Sequence, residues 1–421
     1  MNAEFLTIGN EILIGQITNT NSVWMAQQLN LIGVNVVHMS SVADDKHAII
    51  KALDDASSRA DIVLITGGLG PTKDDITKNT FSEYFKSELV INEDVLNDVT
   101  SFFAKRNREL TELNRKQAEV PKDCIVIRNK NGTAPGMWME KNNTIYVSMP
   151  GVPFEMKAMV TEFVLPEIKQ RFKLPYIYHK TILTQGIGES FLAEMISDWE
   201  DALANKEIGL AYLPSPGMVR LRLSGKGFNE DELIQKIEIE AEKLKTLIDK
   251  YIYGYEEYGK EQPTLEIILG DLLREKNLKL SLAESCTGGY ISHLITSVAG
   301  SSDYYNGCIV PYHNEFKHQL LKVDNLVFEK HGAVSEECVR DMAIEVRNVF
   351  KSDVSIAVSG IAGPGGGTPD KPVGTVWIAV TYYDKLKTKQ FIFGDNRLRN
   401  IHMTANAAMN MLRKLILDIE D

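Results

Sequence analysis

Apolar positions in the first third of the chain fall in short β-rich runs separated by stretches of helical spacing. "EFLTIG" is followed by a helical pattern from about Asn21 to Leu31, then by "VNVVHMSSV", a helix after Asp44, and "DIVLITGG". Strands alternating with helices of this length predict βαβ crossovers and a mainly parallel sheet. From about Arg171 to Tyr255 the pattern changes, and "HKTILTQG", "AYLPSPGMVRLRLSGKG" and "EDELIQKIEIEAEKLKTLI" predict a small α+β unit. The polar, tyrosine-rich "YGYEEYGKEQP" reads as a linker. Alternation then returns: helix 263–276, strand 277–283, helix 287–298, a strand around Gly307 to Val310, helix 335–350, strands "DVSIAVSG", "GTVWIAVTYY" and "TKQFIFG", and a helix over 397–418. The expected organisation is an α/β chain with domains at 1–170, 171–255 and 261–421.

Composition narrows the chemistry. With 46 Lys plus Arg against 57 Asp plus Glu, the formal charge is −11, which disfavours a long phosphate-tracking surface and hence nucleic acid as the main ligand. The four cysteines, Cys124, Cys286, Cys308 and Cys338, form no C-x-x-C pair, so neither a zinc site nor a disulfide framework is expected, and a reducing cytoplasm fits. "MNAEFLTIGNEILIG" lacks a basic leader, and no run of about 18 apolar residues suggests a membrane span.

Two strands end in glycine-rich loops, where ligands of α/β sheets bind. In "TGGLGPTKDDITKN" Gly67, Gly68 and Gly70 allow backbone N–H groups to approach an anion, and Thr72 follows them. Asp74 and Asp75 have the sign needed by a divalent cation bridging to phosphate, although a tight turn with acidic residues at a helix start reads equally well. Glu11, Asn21 and Asp44 cluster at neighbouring strand ends, and "NGTAPG", with Gly132, and "MPGVPFEM" add further loops. In the last third, "LAESCTGGY" ends a strand in small residues. Ser285 is either a helix cap or a nucleophile whose oxyanion meets the N–H groups of the 286–289 turn, with Thr287, Gly288 and Gly289 at the substrate. Serine needs a base. "PYHNEFKHQL" offers Lys317, with Tyr312 to orient or relay. Cys286 is a rival nucleophile.

These stretches carry a family resemblance. "TIGNEILIG", "NTN", "TGGLGPTKDDIT", "NGTAPG" and "MPGVPFEM" resemble the amino-terminal domain of the CinA family, the competence/damage-inducible proteins, whose fold is similar to molybdopterin-binding domains. That resemblance implies a pyrophosphatase using a divalent metal such as Mg, Mn or Co, splitting ADP-ribose into AMP and ribose 5-phosphate. Its metal ligands would be Asp44 and Asp74 or Asp75. "AESCTGG", "YHNEFK", "HGAVSEE", "SGIAGPGGGTPDKPVGTVWIA" and the "GDNR" stretch are similar to the nicotinamide mononucleotide deamidase domain of the same family. The implied roles are Ser285 as nucleophile, Lys317 as base and Tyr312 as their partner. The loop with Ser359, Gly360 and Gly363 would lie at the substrate, and Arg397 or Arg399 at its phosphate. The family writes Gly-Asp-Arg where Asn396 intervenes here, and His313 replaces a small residue, which is expected to tune the pocket. A homodimer is expected. Readings from other classes are a non-catalytic pterin- or nucleotide-binding first domain and an interaction partner in DNA uptake.

Overall fold

The computed structural model describes residues 1–72, 75–257 and 263–420. The chain divides into two compact units, Met1–Tyr178 with Lys226–Leu233 and His179–Gly225 with Ile234–Asp421.

The first unit contains β1 (Asn2–Ile8), β2 (Asn35–Val42), β3 (Ile62–Thr66), β4 (Leu89–Ile91), β5 (Glu119–Pro121), β6 (Ile125–Ile127), β7 (Gly136–Lys141) and β8 (Thr144–Met149). Six of them form one sheet in the order β2-β1-β3-β8-β7-β6, while β4 and β5 pair separately. The first four neighbours run parallel, and β7 and β6 close one edge antiparallel. All five residues of β3, "IVLIT", are buried, as a strand covered on both faces requires. Phe5, Leu64 and Val147 pack with Met25 and Leu29 of helix Thr20–Leu31. Leu6, Ile65 and Tyr146 pack with Ile49 and Leu53 of helix Lys46–Ser57 on the other face. The parallel order brings the carboxyl ends of β1, β3 and β8 to one edge.

In the second unit, β9 (Tyr176–Gln185), β10 (Gly209–Ser215), β11 (Met218–Gly227) and β12 (Ile252–Glu257) form a sheet in the order β10-β11-β9-β12. The alternation in β11 buries Val219, Leu221 and Leu223 and leaves Arg220 and Arg222 half-buried on the other face. β13 (Leu280–Glu284), β14 (Tyr305–Ile309), β15 (Val354–Gly360), β16 (Thr375–Tyr382) and β17 (Lys385–Ile392) form a mixed sheet in the order β14-β13-β15-β16-β17. Val354, Ile356 and Val358 of β15 meet Ala405, Ala408 and Leu412 of helix Arg397–Leu417. Ala357 faces Cys338, Met342 and Val346 of helix Glu336–Phe350 on the opposite side. Among the described residues no helix is long and apolar enough to cross a membrane.

Four local expectations change: the stretch read as a linker starts inside β12, which pairs with β9 through Glu257, and 258–262 lie outside the described residues. The strand expected from 277 starts at Leu280, because Asn277 sits at φ 53° and ends the preceding helix turn. The helix expected from 287 starts at Tyr290, because Gly288 and Gly289 hold φ of 62° and 98°, outside the helical region. Helices Asn314–Leu321 and Asn325–Lys330 were not legible, being of 8 and 6 residues, too short to establish a period.

Candidate active site

β13 is fully buried and delivers Ser285 at its carboxyl end. Ser285 N donates to Val358 O at 3.0 Å, tying the turn to β15. The carboxyl ends of β14, β13 and β15, strands that run parallel, surround a cavity of about 300 Å³. Ser285, Tyr312, Lys317, Ser359, Gly360, Gly363 and Arg397, all singled out in the sequence, line it together.

Lys317 is 2% exposed on helix Asn314–Leu321. Its Nζ donates to Pro311 O at 2.9 Å and Tyr312 O at 3.4 Å, and among the described residues no carboxylate pairs with it. Burial lowers its pKa from the ordinary lysine value, and the Cys338 and Cys286 thiols oppose this only in their charged form. An ammonium has three donors, so one remains for the cavity. No hydrogen bond joins Ser285 Oγ and Lys317 Nζ among the described residues, and such contacts commonly tighten only when substrate binds. Arg397 is the first residue of its helix. Its Nη1 donates to Gly363 O at 2.6 Å and its Nη2 to the exposed Tyr312 hydroxyl at 3.0 Å. Asn396 is the N-cap, accepting from Arg399 N at 3.0 Å; Arg397 lines the cleft, while Arg399 is not on its wall. Ser359 Oγ donates to Ala333 O at 2.7 Å, and Ile361 N to Thr375 O at 2.8 Å.

The turn after Ser285 departs from expectation. Thr287, Gly288 and Gly289 do not line the cavity. Glu284, 1% exposed, accepts from Thr287 Oγ1 at 2.7 Å, Gly289 N at 3.1 Å, Ile291 N at 3.0 Å and Ser292 N at 2.7 Å. Gly288 N donates to Ser285 O at 3.2 Å. Those N–H groups are therefore engaged, and among the described residues Cys286, which does line the cavity, has the N–H left for an oxyanion. Ser285 does not cap the helix; Glu284 serves its amino end from the strand. Sequence reasoning missed Glu284, although a carboxylate closing an apolar strand was the available signal. It also missed Asn400, buried, whose Nδ2 donates to Ala362 O at 3.0 Å and Gly394 O at 2.9 Å and holds the loop beside Arg397. Burial pushes the Cys286 thiol up to about 12, which argues against a thiolate nucleophile. His313 is off the wall, at the N-cap of Asn314–Leu321, where Nδ1 accepts from Glu315 N at 3.4 Å.

In the first unit, Gly67 and Gly68 stand at the carboxyl end of β3. A Cβ on Gly67 would lie 2.0 Å from Ile8 O. Asn21 Nδ2 donates to Gly151 O at 2.7 Å, and a Cβ on Gly151 would meet Gly67 Cα at 3.6 Å, so these loops touch. Gly70 packs on the Asp75 carboxylate, Gly132 on that of Glu155, and Gly9 on that of Glu11. Asp75 Oδ2 accepts from Thr72 N at 2.9 Å, and Asp44 Oδ2 from Asn10 N at 3.0 Å. Asp74 lies outside the described residues. Among the described residues, which leave out Asp74, no three His, Cys, Asp or Glu side chains converge on one point. The hydroxyls of Thr66, Thr77 and Ser148 and the Asn21 Oδ1 are buried without partners among the described residues.

Comparison with known proteins gives three family matches: a probable molybdopterin binding domain over residues 4–170, the damage-inducible protein CinA KH domain over 179–254, and the CinA C-terminal domain over 262–416. A CinA-like protein of Cytophaga hutchinsonii is 47% identical over 418 residues, 99% of each chain, and one of Flavobacterium psychrophilum matches to the same extent. Among solved structures, a competence/damage inducible protein of Agrobacterium tumefaciens is 33% identical, covering 37% of this chain and 98% of its own with a TM-score of 0.35. With nearly half of its residues shared from end to end with such relatives, the chain belongs to the CinA family.

Proposed function

We propose that the cleft of the second unit is a serine amidase site acting on the carboxamide of nicotinamide mononucleotide. The observation that carries this reading is Lys317, a buried amine without a carboxylate partner among the described residues, on the wall of the cavity that holds Ser285. Neutral Lys317 takes the proton from Ser285 Oγ as the oxygen attacks the carboxamide carbon. The carbonyl electron pair moves to oxygen, which meets Cys286 N–H. Protonated Lys317 then returns its proton to the departing nitrogen, and ammonia leaves. Water attacks the acyl-enzyme with Lys317 again as base, releasing nicotinic acid mononucleotide and restoring Ser285. Arg397, opening its bond to Tyr312, receives the substrate phosphate. Ammonia release by the full chain, lost in Ser285→Ala with melting temperature unchanged, is the expected result; equal release by the variant overturns the serine mechanism.

For the first unit we infer a nucleotide site at the Gly67–Gly68 loop, ADP-ribose being the ligand and AMP with ribose 5-phosphate the products. The specific observation in its favour is the set of buried hydroxyls of Thr66, Thr77 and Ser148 without partners among the described residues, each a cost of about 1–3 kcal/mol that a rearranged, ligand-bound loop would relieve. AMP release from ADP-ribose that stops on chelation and returns with added divalent metal supports the reading. Binding without release makes this unit a binding module.

A further inference from the structure

The second unit holds another cavity, of about 370 Å³, outside the Ser285 cleft. On its wall Tyr290 stacks on His402, with ring centroids 4.9 Å apart and planes 15° from parallel. Arg220 reaches the same space from the half-buried face of β11. Among the described residues its guanidinium has no ion pair and no hydrogen bond. The side chains of Ser215, Glu266 and Asn406 border the cavity in the same unbonded state. Helix Leu265–Glu275 starts at this wall, and its N-cap, Thr264, makes no side-chain cap bond. The N–H groups of its first turn therefore lack a side-chain acceptor. A packing void between layers would be apolar. This space instead gathers a guanidinium, a carboxylate, a carboxamide, two hydroxyls and a flat aromatic pair.

We propose that this cavity binds a mononucleotide, distinct from the one in the cleft. The ligand's ring lies against the Tyr290–His402 pair, its phosphate meets Arg220 and the first turn of Leu265–Glu275, and its ribose hydroxyls donate to Glu266. Two observations set the class. The volume is near the lower end of ligand pockets, about 300–1,000 Å³, which suits one nucleotide rather than two. One guanidinium beside one carboxylate accommodates a single phosphate, whereas a di- or triphosphate would meet Glu266 with uncompensated charge. The proposal stands whether or not the cleft deamidates.

The test is amide hydrogen exchange of the full chain with 5′-AMP as probe, read on peptides covering 264–268 and 290–294, in the wild type, Arg220→Ala and Arg397→Ala. Expected is slowed exchange in both peptides in the wild type and Arg397→Ala, with the half-saturating AMP concentration raised about tenfold or more in Arg220→Ala, as for a lost charge-assisted bond. Among the described residues Arg220 has no hydrogen-bond or ion-pair partner to lose, so an unchanged melting temperature confirms that Arg220→Ala is folded. No slowing in the wild type at saturating probe overturns the proposal. So does slowing that is indifferent to Arg220, or slowing lost in Arg397→Ala, which would place the ligand in the cleft.

Discussion

Replacing Lys317 by Met keeps an unbranched apolar stem in a position only 2% exposed and removes the amine. If Lys317 is the base for Ser285, the loss is that of general base catalysis, about 10²–10⁴-fold, or about 3–5 kcal/mol in the barrier. The structural cost is smaller. Two hydrogen bonds, to Pro311 O and Tyr312 O, contribute about 0.5–1.5 kcal/mol each, and removing a desolvated ammonium offsets part of that. The two effects separate by pH. Burial lowers the Lys317 pKa, so wild-type kcat/KM for ammonia release should rise with pH and level off below the ordinary lysine value of 10.5. In stability the same group acts with a definite sign: between its folded pKa and the unfolded value of about 10.4 the unfolded chain binds more protons, so wild-type stability rises with pH. Lys317→Met lacks that rise, and its stability relative to wild type should decline across the window. Steady-state ammonia release and thermal melts over the same pH series give both readouts. A variant retaining more than about a tenth of the wild-type rate, or a flat wild-type profile, refutes the lysine base.

Three further outcomes are expected. Cys286→Ser should keep deamidation within a few-fold, since a thiol pushed up to about 12 is not the nucleophile; abolition would move the chemistry to the thiol. Glu284→Gln should destabilise the second unit by about 2–5 kcal/mol in denaturant melts, because its amide N–H₂ faces donors that the carboxylate now accepts, leaving roughly two of them without partners. Gly67→Ala, with a Cβ 2.0 Å from Ile8 O at φ 110°, should weaken ADP-ribose binding and lower the first unit's melting temperature; wild-type values for both would remove that loop from the site.

Much of this molecule is carried by local pattern. The continuous apolar run of β3, the alternation of β11 and the spacing over Glu230–Ile248 state their structures directly, because burial on two faces, one face or a helical stripe each leaves its own period. Ser285 and Lys317 were legible as chemistry, since small residues at a strand end and a lysine after a strand are local facts, whereas Arg397 entered only through the family resemblance, with Arg399 beside it. The convergence of the three was not legible. It depends on the β14-β13-β15 order, in which sequence-distant strands end side by side. Nor could the chain alone decide which N–H groups of the Ser285 turn are free. That follows from Glu284, whose carboxylate reaches forward across eight residues to Ser292 only once β13 and the next helix are packed. That Arg397 and not Arg399 lines the cleft is likewise tertiary, as is the burial that lowers the Lys317 pKa. Residue identity and period set which groups are available; distance, burial and hydrogen-bond partners, which decide their reactivity, arise only when the layers close.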